Sequence, residues 1–217
     1  MMRVPRAFEH RVDIYNAMLK NPQTAHMAHN LATYDKLSNL PKTAWAKKQL
    51  VVRPSDKDTY QECKRYEETV IENVFNGKGL YLFGTMGSGK TSWAYRIAIR
   101  YMELASSRNI TNRPVYYANV PSLMNDIKAG FEDVELAKQI RVSIEDSDIV
   151  IFDDIGAENG TEFAKEQLYS FINNRYANGK VCIFTSNLPL SRLQPRLADR
   201  ILEMCTILEF KGTSRRK

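Results

Sequence analysis

The chain has 217 residues, of which 43% are hydrophobic and 26% charged, and its formal net charge is +6. This balance is typical of a folded protein and excludes a disordered chain. No apolar run approaches the roughly 20 residues of a membrane helix, and the N-terminus lacks the apolar core of a signal peptide. Cys63, Cys182 and Cys205 are too scattered for a disulfide framework or a zinc site. We therefore expect a cytoplasmic protein.

The positive charge is concentrated towards the two ends of the chain. Residues 1–65 carry 12 basic and 6 acidic side chains, residues 66–191 carry 12 and 16, and residues 192–217 carry 7 and 3. Basic ends around an acidic middle are compatible with phosphate-bearing or acidic partners. The alternative is a pair of solvated basic surfaces without such a partner.

Residues 1–57 are predicted to form a small helical extension and a linker. Apolar residues recur at helical spacing until Asn21-Pro22, and a second helix is predicted from Thr24 to Leu37. The stretch from Ser38 to Asp58 contains two prolines and no sustained periodicity, so we expect a linker there. The basic segment from Met2 to Lys36 is the candidate region for contact with a protein partner.

Residues 58–217 are predicted to form the main domain. Helical spacing continues from Asp58 to a helix stop at Asn76-Gly77. Beyond it, short apolar runs alternate with helical segments, which is typical of βαβ units in a parallel sheet covered on both faces. The predicted strands are Gly79–Phe83, Pro114–Asn119, Asp148–Phe152, Val181–Thr185 and Thr206–Phe210. The predicted helices are Ser92–Ser106, Pro121–Gly130, Thr161–Tyr176 and Gln194–Met204.

A glycine-rich loop between the first strand and the following helix has the pattern G-x-x-x-x-G-K-[ST] at every fixed position. Its glycines allow backbone N–H groups to converge on a phosphate, and the helix directs its N-terminus at the same point. In this pattern Lys90 reaches the β- and γ-phosphates, and the Thr91 hydroxyl is a ligand of Mg²⁺. The predicted ATP-binding residues are Gly84, Thr85, Met86, Gly87, Ser88, Gly89, Lys90, Thr91 and Ser92.

Polar side chains follow the next two apolar strands. The run Ile149–Phe152 ends in Asp153 and Asp154, and an apolar strand that delivers a carboxylate is how P-loop proteins hold Mg²⁺ opposite the loop threonine. We assign Asp153 to the metal and Asp154 to polarisation of the attacking water. Asn187 follows the strand after that, in a position from which it could reach the γ-phosphate or the water.

Two arginines lie four residues apart in the last predicted helix, so they share one face of it. Arginines supplied to a neighbouring subunit's nucleotide offset the charge of the transition state in P-loop enzymes. We favour Arg196 for this trans-acting role, with Arg200 beside it. An ordinary surface helix with two arginines is the alternative.

These motifs, in this order and spacing, resemble the AAA+ ATPases, and among them the bacterial replicative helicase loaders of the DnaC/DnaI type and the related IstB transposition helpers. The resemblance covers about residues 60–217. It rests on six segments: GTMGSGKT (84–91), VYYANVPSLMNDIKAGFED (115–133), VIFDDIGAE (150–158), IFTSNLPLSRL (183–193), PRLADRI (195–201) and FKGTSRR (210–216).

The resemblance implies an α/β P-loop domain with a parallel sheet between helices, in which Asn187 is sensor 1 and Arg196 the arginine finger. It also implies that Ser214-Arg215-Arg216 closes the domain. The sequence departs from the general AAA+ pattern in two ways, one in the catalytic acid and one in the domain organisation. The second acid of the strand motif is Asp154 and not glutamate, which favours weak hydrolysis, and no C-terminal lid domain is expected. The compact form is typical of a phage or mobile element.

Loaders of this type bind single-stranded DNA, for which a stacking aromatic ring beside a cation is suitable. Lys128 and Phe131 follow one helix, and Phe163 and Lys165 follow the aspartate pair, so these four are the candidate DNA-binding residues. The alternative is that both phenylalanines are core residues.

The function predicted from the resemblance is ATP-dependent loading of a DnaB-type helicase onto single-stranded DNA at the initiation of DNA replication. The cofactors would be ATP and Mg²⁺, and the protein would self-associate through its ATP site. Three alternatives stay open: an IstB-like ATPase that helps a transposase, a small P-loop kinase of a metabolite, and a switch protein that binds nucleotide with little hydrolysis.

Overall fold

A five-stranded parallel sheet forms the centre of the molecule. The computed structural model describes residues 12–45, 53–130, 133–157 and 161–212. The strands are β1 (Gly79–Gly84), β2 (Val115–Asn119), β3 (Ile149–Asp153), β4 (Val181–Ser186) and β5 (Cys205–Phe210). Their order is β2-β3-β4-β1-β5, and every neighbouring pair is parallel. The predicted α/β class and all five strands are therefore confirmed.

Helices cover both faces of this sheet. They are α1 (Val12–Lys20), α2 (Pro22–Leu37), α3 (Lys57–Glu68), α4 (Val70–Phe75), α5 (Lys90–Arg108), α6 (Val120–Ala129), α7 (Val134–Asp146), α8 (Glu162–Ala177) and α9 (Pro195–Met204). One prediction was wrong in detail, and one helix was missed. The helix predicted from Asp58 to Asn76 is divided at Thr69, whose φ of −105° and ψ of 22° are not helical. Helix α7 was not predicted.

The alternation of side chains along the strands produces two cores. Leu82, Ile151 and Ile183 face α2, α3 and α5 on one side of the sheet. Phe152 and Phe184 face α6, α8 and α9 on the other, where their rings stack with centroids 5.5 Å apart. Each fully buried side chain of this size contributes about 1.5–3 kcal/mol to folding. Strands β3 and β4 are buried along their whole length, as expected of the middle of a covered parallel sheet.

The described part of residues 1–57 packs onto the sheet domain. Leu31 and Tyr34 of α2 belong to the same core cluster as α5 and the sheet, and so does Leu40. The region predicted as a linker contains two short 3₁₀ turns, Lys42–Trp45 and Pro54–Asp56. The division at residue 57 stays a prediction, but α2, which precedes it, shares a core with the sheet.

The carboxyl ends of the parallel strands meet at one edge of the sheet. There β1 leads into the glycine-rich loop, β3 ends at Asp153, and β4 ends one residue before Asn187. Helix α5 begins at Lys90 on the same side. The topology thereby gathers residues from three separated motifs, as is general for ligand sites of open α/β sheets.

Candidate functional site

The 84–91 loop has a backbone that requires glycine at its two ends. Gly84 has a φ of +132°, and a Cβ there would lie 2.1 Å from the carbonyl oxygen of Phe210 on β5. Gly89, which precedes the first turn of α5, has a φ of +108°. Residues with a side chain rarely adopt such φ angles, so both positions depend on the absence of a Cβ in glycine.

The side chains of the loop differ sharply in exposure. Met86 is 61% exposed, whereas Ser88 is buried and its Oγ has no hydrogen-bond partner within the described ranges. Gly87 has a φ of +74°, and Ser92 is half-buried in the first turn of α5. A buried hydroxyl without a partner costs free energy unless a ligand satisfies it. This orphaned oxygen fits a loop that is shaped around a phosphate.

The ammonium group of Lys90 is folded back over its own loop. Its Nζ donates to the carbonyl oxygens of Gly84 at 3.0 Å and Thr85 at 2.8 Å, and to Asn187 Oδ1 at 3.0 Å. Lys90 is only 7% exposed. An ammonium group has three donors, so each is used here, and a phosphate would replace at least one of these acceptors.

Asp153 is the best connected carboxylate of the site. Its Oδ1 accepts from the hydroxyls of Thr91 at 2.8 Å and Thr185 at 2.6 Å. Its Oδ2 accepts from the hydroxyl of Tyr117 at 2.9 Å. Burial first, and then the charge of Asp153, raises the pKa of Tyr117, so this phenol stays protonated as a donor. Tyr117 lies in the 115–133 segment, but it was not predicted as a site residue.

Asp154 and Asn187 continue the network towards the loop. Asp154 has a φ of +63°, a left-handed conformation that aspartate tolerates better than most residues. Its backbone N–H donates to Thr185 Oγ1 at 3.0 Å, and its Oδ1 accepts from Asn187 Nδ2 at 3.2 Å. The Asn187 amide therefore joins Lys90 to Asp154.

The oxygen atoms around Thr91 suit Mg²⁺. A hydroxyl and a carboxylate in contact are hard ligands of the kind that Mg²⁺ binds in company with substrate phosphates. Across the described parts of the chain, no three His, Cys, Asp or Glu side chains gather into a possible metal cage. A metal held jointly by Thr91, Asp153 and phosphate oxygens fits this pattern.

A contact that the motifs did not predict ties the loop to both ends of the domain. The Thr85 hydroxyl donates to the carbonyl oxygen of Gly212. The N–H of Gly212 in turn donates to Asp56 Oδ1 at 2.8 Å, and Asp56 is 1% exposed. The segment before α3 and the segment after β5 are thus fixed against the loop. Ser214-Arg215-Arg216 lies outside the described residues.

The two arginines of α9 lie against α8. Arg196 pairs with Glu166 and stacks 4.4 Å from the ring centroid of Tyr169. Arg200 lies 4.8 Å from the centroid of Tyr176. Arg196 is about half exposed, so it can be presented to a neighbouring molecule. Its trans-acting role stays a prediction, as does that of Arg200.

The described candidate DNA-binding residues lie on two helices, α6 and α8. Phe163 is 43% exposed in the first turn of α8, so it is not a core residue. Lys165 pairs with Glu162 at 2.8 Å. Lys128 is half-buried near the end of α6, and Phe131 lies outside the described residues.

The sheet order, the glycine-rich loop and the gathered polar residues define a P-loop domain of AAA+ type. The chain matches the family model of the IstB-like ATP binding proteins over residues 67–217, and it belongs to this family. The resemblance predicted from the motifs is therefore confirmed, and membership supports ATP binding. No described helix is both long and apolar enough to cross a bilayer.

Similar proteins include two from Bacillus subtilis. The chain is 32% identical to the phage-like element PBSX protein XkdC over 170 residues, which are 73% of this chain and 60% of that protein. It is 28% identical to the replicative helicase loader DnaI over 170 residues, 70% of this chain and 50% of DnaI, so it spans about half of that relative. The crystal structure of the DnaC helicase loader matches with a TM-score of 0.65 at 22% identity and covers 79% of this chain and 100% of that one.

Proposed function

We propose that this chain binds and hydrolyses ATP at the 84–91 loop and uses the nucleotide state to load a DnaB-type hexameric helicase onto single-stranded DNA. The observation that carries the proposal is the Asn187 bridge. Its amide accepts from Lys90 and donates to Asp154, so a change at the phosphate end of the site reaches the acid beside the attacking water.

Each residue of the network has a distinct task in this proposal. Lys90 exchanges its carbonyl partners for phosphate oxygens, and Thr91 and Asp153 hold Mg²⁺. The metal supplies neutralisation of the phosphate charge when it is bound. Asp154 polarises water, and Asn187 orients it. Aspartate is one methylene shorter than glutamate, so we expect slow turnover that rises when a partner completes the site.

Relatives support the loading role and its partners. DnaI is a replicative helicase loader, and the matching DnaC structure is also that of a helicase loader. Self-association through the ATP site would bring Arg196 of one molecule to the nucleotide of the next. Single-stranded DNA would contact Phe131 and Phe163, with Lys128 and Lys165 beside them.

The test is ATP hydrolysis with and without single-stranded DNA and a cognate DnaB-type helicase. Wild-type turnover should rise with both additions. Arg196→Ala should bind ATP normally and fail to respond, whereas Arg192→Ala, at an exposed arginine of the preceding 3₁₀ turn, should respond like wild type. Turnover that ignores DNA and helicase alike would contradict helicase loading.

The family match favours a second candidate, an IstB-like ATPase that helps a transposase. Parallel binding assays against a DnaB-type helicase and a transposase separate the two, because each candidate requires one of these partners. The metabolite-kinase alternative gives Asn187 no task, whereas here its side chain bonds both Lys90 and Asp154. Phosphoryl transfer to a small molecule would support a kinase.

A further inference from the structure

Asp153 receives a hydrogen bond from β2, a strand to which the sequence assigned no residue of the ATP site. Thr91 and Thr185, which belong to motif segments, both donate to Oδ1. Oδ2 accepts from the Tyr117 hydroxyl, which reaches across from β2 to β3. Hydrogen bonds to both oxygens hold the orientation of a carboxylate more firmly than hydrogen bonds to one oxygen alone.

Tyr117 is itself held by its ring and its backbone. Its ring packs edge-on against that of Tyr95 with centroids 5.4 Å apart. Its N–H donates to the carbonyl oxygen of Ser38 at 2.8 Å, and its carbonyl oxygen accepts from Asn39 Nδ2 at 3.0 Å. Asn39 has a φ of +53°, a left-handed conformation that asparagine adopts more readily than most residues. The Ser38–Asn39 pair directly follows α2.

We infer that Tyr117 is a positioning residue for Asp153 and that Ser38–Asn39 holds Tyr117 in place. The position of the end of α2 then affects the orientation of the carboxylate that would bind Mg²⁺. This inference rests on the proposed function. It adds a structural path of three steps: from the end of α2 to the backbone of Tyr117, through its ring, and to Oδ2 of Asp153.

The expected effect is on the magnesium-dependent part of nucleotide affinity. Partners that hydrogen-bond a metal-ligating carboxylate typically change metal affinity by about 10–100-fold when removed. Tyr117→Phe deletes only the hydroxyl and keeps the packing against Tyr95. The hydroxyl donates to Asp153, and no hydrogen bond among the described residues joins it to the ATP-binding loop, so affinity for ATP without metal should be unchanged.

The experiment measures the dissociation constant of a fluorescent ATP analogue in excess Mg²⁺ and in EDTA. The ratio of the EDTA constant to the Mg²⁺ constant reports the metal's contribution. Tyr117→Phe should lower that ratio by about tenfold or more, with the EDTA value kept. Tyr116→Phe, on the opposite face of the same strand, is the matched control and should keep both values. Asn39→Gly keeps the left-handed backbone, loses the amide donor and should lower the ratio by about threefold.

The outcomes separate the inference from the proposed function. A Tyr117→Phe ratio equal to that of wild type, or equal losses with and without Mg²⁺, would overturn the positioning role. A normal ratio in Asn39→Gly alongside a lowered one in Tyr117→Phe would overturn the link to α2. Wild-type protein that binds no ATP under either condition would instead overturn the proposed function.

Discussion

Thr185 bonds both aspartates of the polar network, so its replacement by valine tests that network directly. The hydroxyl donates to Asp153 Oδ1 at 2.6 Å and accepts from the Asp154 N–H at 3.0 Å, and the residue is 2% exposed. A hydrogen bond to a charged group contributes about 1.5–3 kcal/mol and a neutral one about 0.5–1.5 kcal/mol. Valine has nearly the same shape, so we expect a loss of about 2–4.5 kcal/mol in unfolding free energy.

Ser186→Ala is the matched control for this variant. Ser186 is the next residue of β4, is fully buried, and also makes two hydrogen bonds, to the Ile155 carbonyl oxygen at 2.6 Å and from the Leu188 N–H at 3.0 Å. It contacts neither aspartate of the site in these bonds, so it should lose about 1–3 kcal/mol and keep hydrolysis.

Urea unfolding curves and ATP turnover measure both variants. Displacement of Asp154 in Thr185→Val should reduce turnover by roughly 10²-fold, since small misplacements of a catalytic group have effects of that size. A Thr185→Val protein with wild-type stability would refute the energetic reasoning. Equal losses of turnover in Thr185→Val and Ser186→Ala would refute the assignment of the network to the chemistry.

Three further predictions concern stability and reactivity. Arg175 is 1% exposed and donates to four backbone carbonyl oxygens, and Arg175→Met removes the donor from all four, so the variant should lose more than about 3 kcal/mol in urea unfolding. The exposed Arg96→Met should lose less than about 1 kcal/mol, and equal losses would contradict this account. Burial raises the pKa of Tyr66 and Tyr101 above the ordinary 10.0. The two phenols therefore contribute their full stabilisation below pH 10.0. Above pH 10.0 the free energy of unfolding should fall as the pH rises, because the unfolded chain loses these protons first. A free energy of unfolding that stays constant above pH 10.0 would contradict this prediction. Burial, followed by the charges of two nearby glutamates, raises the pKa of the Cys63 thiol to about 12, so iodoacetamide at about pH 8 should modify it only in unfolded protein, as mass spectrometry of digests would report.

Much of the fold was predictable because the strands are short apolar runs and the helices end at short sequence signals such as Asn76-Gly77. The omission of α7 was avoidable, since Leu136, Ile140 and Ile144 recur every four residues and the Asp133 side chain caps the helix at the Leu136 N–H. The division at Thr69 was not predictable from spacing. Apolar residues keep helical periodicity across it, and neither glycine nor proline marks the break.

The site divides in the same way. The contact between Thr91 and Asp153 was predictable because each residue belongs to a motif that is local in sequence. Tyr117 lies 36 residues from Asp153, and only the register of β2 against β3 brings them together. The sequence places Asp56 in a linker because the proline near it suggests irregular structure, yet Asp56 bonds the far end of the chain.

The position of β2 at the edge of the sheet has a consequence for handling the protein. Ser38 and Asn39 occupy backbone groups of Tyr117 that an edge strand would otherwise present to solvent, and Leu40 is buried beside them. An uncovered edge is a template for pairing with another chain. A version that starts at residue 58 is therefore expected to aggregate through β2. The same bonds restrict which foreign N-terminal segments can be grafted onto this domain, because a replacement must supply both an acceptor and a donor at this edge.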